Sequence, residues 1–180
     1  IGGKTIVDET SMRVAVLRNV WEEHGEGARD KMHGATFKLF LARTLGVDVD
    51  AVEREIERRP LWPEVRVFNT LLAGACVLDE YLVGAATLGI VERMFSEIAN
   101  AIGRGVVARG FIAAGALVHY DVHETLDVRH AADFFDVLAP SWSVGPRERD
   151  FIEQGLRMGA LAFDQLYARL YRSRARRWLR

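Results

Sequence analysis

The run His123-Glu124-Thr125-Leu126-Asp127-Val128-Arg129-His130 constrains the chain most, because its spacing gathers the ligand-type residues when the segment is helical. At about 100° per residue, Asp127 falls about 40° to one side of His123 and His130 about 20° to the other, so the three share one face. His119 lies on the same stripe, about 40° from His123. Imidazoles and a carboxylate pointing one way are ligands for a borderline metal. Alanines, valines and phenylalanines surround them, and a carboxylate among such neighbours is costly unless it is hydrogen-bonded or coordinated. A metal accounts for the charge and its companions; a set of satisfied core histidines is the competing reading.

Helical spacing of apolar residues continues along the chain, with no repeat, no strand-rich region and only four prolines. A first helix is expected from Glu9 to His24, where Gly25-Glu26-Gly27 interrupts it. A second is expected from Asp30, as N-cap, to Gly46. Asp48 caps a third, Val49 to Arg59, which Pro60-Leu61-Trp62-Pro63 ends. Pro63 to Leu78 and Glu80 to Val107 read as two apolar helices. In the latter, Gly84, Gly89, Gly103 and Gly105 imply tight packing, a kink or a boundary elsewhere. Phe111 to Leu138 holds most of the histidines, Pro140 to Pro146 reads as a loop, and Pro146 opens the last helix. The expected fold class is all-α, a single-domain seven-helix bundle over residues 1–180.

A chain of 180 residues can bury a continuous core, and 49% hydrophobic with 27% charged residues excludes disorder. The net charge of -1 gives no global field toward nucleic acid or an anionic membrane, so neither is an expected partner. Arg169, Arg172, Arg174, Arg176, Arg177 and Arg180 crowd the C-terminal end. They read as a solvated helix end whose cations complement the dipole, with an anionic partner as the alternative. The single cysteine, Cys76, lies in an apolar run, excludes an intrachain disulfide and suits a reducing compartment. No signal-peptide core and no stretch of about 20 uncharged apolar residues is present, so a cytoplasmic location is expected.

One helix cannot complete a metal's coordination, which directs attention to carboxylates and histidines in other apolar segments. Glu92 stands in such a segment, between Val91 and Arg93, and a surface pair with Arg93 or Arg104 is its bland alternative. The second place is Trp21-Glu22-Glu23-His24-Gly25-Glu26-Gly27, followed by His33. There the glutamates can equally solvate a turn, and His33 can simply open a helix.

Asn19-Val20-Trp21-Glu22-Glu23-His24-Gly25-Glu26-Gly27, then His33, then Glu92, then His123-x-x-x-Asp127-x-x-His130-Ala131 resembles the haem-oxygenase-like di-iron oxidase and oxygenase family. The resemblance covers the chain from about Arg18 onward, and the ordered set is more specific than any one motif. It implies a haem-oxygenase-like seven-helix fold without haem, related to thiaminase-type and quinone-cofactor-synthase proteins. It also implies two iron ions (Fe2+) held by Glu23, His33, Glu92, His123, Asp127 and His130, with O2 as co-substrate. Glu22 and Glu26 stay open as alternatives to Glu23, and His119 has no role in the set. The implied activity is that of a non-haem di-iron oxidase or oxygenase in specialised metabolism. Its substrate would be a small organic molecule: an amine, an amino acid or a fatty acid.

The region before Asn19 is shorter than in most members of that family, so the first helix is expected to be shortened, at the expense of a pocket wall. Arg93 to Gly110 contains no lysine, against the self-modifying aminobenzoate-synthase activity. A ferritin-like site would need two E-x-x-H elements, and only Asp127-x-x-His130 has that form. A zinc hydrolase with three protein ligands is a further alternative. So are a metal-independent thiaminase-like or quinone-cofactor-synthase-like enzyme and a non-enzymatic helical interaction module. A homodimer is the open expectation, since similar bundles often dimerise.

Overall fold

A computed structural model describes residues 10–75 and 80–175. Cys76, the expected helix end at Leu78, the expected start at Glu9 and the arginines 176, 177 and 180 lie outside the described residues. Among those described, seven α-helices and no strand are present. They are α1 (Thr10–Glu23), α2 (His33–Leu45), α3 (Val49–Arg58), α4 (Pro63–Ala75), α5 (Tyr81–Ala108), α6 (Val118–Trp142) and α7 (Pro146–Ala175). Single 3-10 turns stand at Gly25–Gly27, Arg29–Lys31 and Ala114–Ala116.

Helix α5 is the axis of the bundle, with α6 along one side and α7 along another; α4 bridges α5 and α7, while α1 and α2 pack on α6. The glycines of α5 neither break nor end it. They serve packing: a Cβ on Gly89 would stand 2.9 Å from the Cβ of Phe134, so only hydrogen leaves room for α6. From α7, Gly155 presses on the Val83 carbonyl in the same way. The fully buried Thr87 hydroxyl lies 2.8 Å from that carbonyl oxygen and 3.2 Å from that of Gly155. Phe134, Leu138, Leu82, Ala86 and Ile152 form the core at this end, with Phe134 only 1% exposed. Burying such a phenylalanine contributes about 1.5–3 kcal/mol.

Several helix ends differ from expectation. Asp48 caps α3 as expected, accepting from the Ala51 amide at 2.6 Å. Asp30, by contrast, is no N-cap: it sits in a 3-10 turn, and α2 begins at His33 after Met32. The cause is Gly25, whose φ of +64° turns the chain where any Cβ would come within 2.7 Å of the backbone of Lys31 and Met32. The loop folds onto itself and delivers His33 beside the end of α1. Helix α6 begins at Val118 rather than near Phe111, because Gly110 adopts a left-handed φ of +72° and Ile112 and Leu117 bury against Phe40. At its other end α6 runs through Pro140 to Trp142, where a loop was expected. The helix then ends at Ser143, whose amide donates to the Pro140 carbonyl at 3.1 Å.

Candidate metal centre

Four helices contribute to one polar cluster between α5 and α6, buried on the α6 side and open to solvent at His33. The last turn of α1 supplies Glu22 and Glu23, the first residue of α2 is His33, and α5 supplies Glu92. The α6 stripe supplies His119, His123, Asp127 and His130, all buried. The six residues expected from the sequence therefore meet, joined by His119 and Glu22.

The ligand atoms form two groups. One atom each from Glu23, Asp127 and His130 lie within 4.8 Å of one another, and so do atoms from His33, His119 and His123. Glu23 connects them, its Oε2 accepting from His33 Nδ1 at 2.5 Å while Oε1 stands 3.8 Å from His130 Nδ1. His123 Nδ1 donates to Asp127 Oδ1 at 2.8 Å. Asn19 Nδ2 donates to Glu92 Oε1 at 2.7 Å, and Glu92 Oε2 lies 3.7 Å from His130 Nδ1, beyond hydrogen-bond reach.

His130 separates the two neighbouring glutamates of α1. Its Nε2 donates to Glu22 Oε2 at 2.7 Å, and Arg129 holds the other Glu22 oxygen at 2.7 Å. Its Nδ1 faces Glu23 and Glu92 and, at 1% exposure of the side chain, has no hydrogen-bond partner. A buried imidazole nitrogen with nothing bound to it, aimed at two carboxylates, is an incomplete hydrogen-bond set and a complete ligand. Glu26, the third candidate glutamate, is exposed in a left-handed turn.

The electrostatics have the same cause. Burial works to raise Glu23, but the neighbouring His33, His123 and His130 hold it below the usual carboxylate range. Glu92 is pushed up, first by burial and then by Asp127, against His130 and Asn19. Burial works to lower His33 and His130, yet Glu23 raises the former and Glu92, Glu22 and Glu23 raise the latter. His119 is lowered to about 3 by burial, then by His123 and His33. Glu23, Glu92 and Asp127 thus share one buried place where no lysine or arginine reaches them among the described residues. Such a concentration of carboxylates calls for a cation.

Two cavities open on the cluster, and both are lined by Glu23, His33 and His123. The larger, of about 570 Å³, runs between α4, α5 and α7 and is walled chiefly by apolar side chains such as Phe37, Phe68, Leu72 and Phe95. The other, of about 540 Å³, opens beside the Gly25–Lys31 loop. Tyr120, on the wall of the larger cavity, is held neutral by burial, its phenol raised to about 12.

A family model described as iron-containing redox enzyme matches residues 3–164. The chain belongs to that family. An iron-containing redox enzyme of this family is an oxidoreductase, and its all-α fold is haem-oxygenase-like. Neither a curated protein nor a solved structure matches the chain significantly. The donor set suits iron: it combines imidazole nitrogen with carboxylate oxygen, and the unpartnered His130 Nδ1 stands where a metal would complete it. No helix among the described residues is long and apolar enough to cross a membrane.

Sequence reasoning placed Asn19 in the motif without a role and missed Thr36 altogether. Asn19 stands four residues before Glu23 on the same helical face, a usable signal. Thr36, whose hydroxyl lies 2.9 Å from His119 Nδ1, gave none. Lys38 is engaged by Glu53 and Trp62 by Arg169, and neither lines the two cavities.

Proposed function

We propose that this oxidoreductase is a non-haem di-iron oxidase or oxygenase acting with O2 on a small organic substrate, an amine, an amino acid or a fatty acid. The observation that carries the reading is the pairing of two ligand groups, each with atoms within 4.8 Å of one another, along the buried stripe of α6. Glu23, His33, Glu92, His123, Asp127 and His130 are the residues that would hold the ions. When bound, two ferrous ions would supply the electrons that reduce dioxygen.

The chain's own residues do the rest. Glu22, clamped by Arg129, accepts the Nε2 proton of His130, which fixes the ring so that Nδ1 keeps its lone pair for a metal. Asn19 holds one oxygen of Glu92 and leaves the other facing His130. Phe37, Leu72 and Phe95 line a cavity within the usual 300–1,000 Å³ of small-molecule sites, and their apolar surface favours the hydrocarbon part of a substrate and excludes water.

Loading the metal-free chain anaerobically with ferrous iron and then mixing it rapidly with oxygen tests the reading. About two irons per chain and a transient visible absorption are expected. A chain that takes up one zinc and ignores oxygen breaks it, and one that binds no metal belongs with the metal-independent enzymes of this fold.

A further inference from the structure

His119 is the one buried imidazole of the cluster that the six-residue set does not use. Its ring centroid lies 4.9 Å from that of His33 and 4.6 Å from that of His123, and all three line the larger cavity. Each of these rings offers a nitrogen, and the three nitrogens fall within 4.8 Å of one another.

The tautomer of His119 follows from its neighbour. The Thr36 hydroxyl donates its single hydrogen to the His33 carbonyl at 3.0 Å. Its oxygen, 2.9 Å from His119 Nδ1, is then an acceptor, so Nδ1 carries the ring proton. Nε2 keeps a lone pair, and among the described residues it makes no hydrogen bond. A core histidine held only for packing would leave that lone pair idle beside two other imidazoles.

We propose that His119 ligates, through Nε2, the same metal ion as His33 and His123, and that Thr36 is the positioning residue that holds it in the tautomer able to do so. The proposal deepens the di-iron reading and rests on it. It makes the two metal positions chemically unequal: one is rich in imidazole, the other takes carboxylates from Glu23 and Asp127 with His130. The imidazole-rich position favours the reduced ion, and carboxylates favour the oxidised one.

The test is an anaerobic titration of the metal-free full-length chain with Fe2+ against a competing chelator, repeated with Co2+ to read its visible spectrum. The variants are His119→Phe, which retains a ring against Phe37 and Tyr120, and Thr36→Val, which keeps the shape of threonine without its hydroxyl. Circular dichroism establishes that each is folded. The wild-type chain is expected to bind two ions. His119→Phe is expected to weaken one of them by about 100-fold and alter the Co2+ spectrum, and Thr36→Val to weaken the same one by about 10-fold. If His119→Phe does not fold, Thr36→Val decides.

Wild-type affinity and spectrum in the folded variants would overturn the proposal and leave the di-iron reading standing. Equal weakening at both positions would mark His119 as a packing residue and overturn it too. A wild-type chain that binds fewer than two ions would remove the di-iron reading itself.

Discussion

The two halves of α6 pack against the same neighbour, α5, and bury opposite kinds of side chain. From His119 to His130 the buried face is imidazole and carboxylate; from Ala131 to Leu138 it is Ala131, Phe134 and Leu138. The apolar half is complete within the protein, since Phe134 packs with Leu82, Ala85 and Ala86 in the core. The polar half is incomplete, with an unpartnered His130 Nδ1 and the buried Asp127 close to the half-buried Glu23 and Glu92. One half packs the helix against α5, and the other presents imidazoles and carboxylates of the kind that suit a cation.

This contrast is sharpest when one half is damaged without the other. Phe134→Ala is expected to destabilise the chain by about 3–5 kcal/mol, read from chemical unfolding of the metal-free protein. A loss under about 1 kcal/mol would mean that the apolar half is not the anchor. Removing metal with a chelator is expected to cost about 2.7 kcal/mol relative to metal at a hundred times its dissociation constant. Amide hydrogen exchange should then quicken over residues 119–130 and hold steady over 131–138; uniform loosening would erase the distinction between the halves.

Glu22→Gln keeps the shape of the His130 partner but removes its charge. It is expected to weaken metal binding by about 10–100-fold, or about 1.4–2.7 kcal/mol, with little change in the stability of the metal-free chain. His119 offers a test of the polar half by pH. Its folded value, about 3, lies below the free imidazole's 6.5, so the unfolded chain binds the proton more readily. Its contribution to stability is therefore complete above about pH 6.5 and is lost as pH falls from there toward about 3. In the metal-free chain an NMR titration should show this imidazole neutral at pH 5; a midpoint near 6.5 would mean that it is solvated. The smallest effect is expected away from the buried face of either half: Arg18→Ala removes the exposed pair with Asp133 on α6 and should change stability by about 0–1 kcal/mol.

Much of the centre was legible in the sequence because ligand spacing and helical period coincide. His123, Asp127 and His130 need only the 3.6-residue repeat to share a face, and Glu92 declares itself by standing in an apolar helix. Asp48 and Pro146 mark their helix starts through local chemistry. The start of α2 at His33 was hidden, because it depends on the close contact of Gly25 with Lys31 and Met32 across a loop. The seven residues between Phe111 and Leu117 read as helix for their apolar character, which in the fold serves burial of Ile112 and Leu117 against Phe40.

The sequence by itself determined the all-α class and the stripe of ligands on α6, since both follow from interactions within a few residues of backbone. Only the tertiary structure sets Glu22 and Glu23 apart, giving the first His130 Nε2 and Arg129 as partners and the second His33. Neighbours on α1 point about 100° apart, and the approach of His130 turns one toward the cluster and leaves the other behind the ring. It decided likewise that His119 meets Thr36 and the ring of His33, contacts between α2 and α6 that no local pattern encodes.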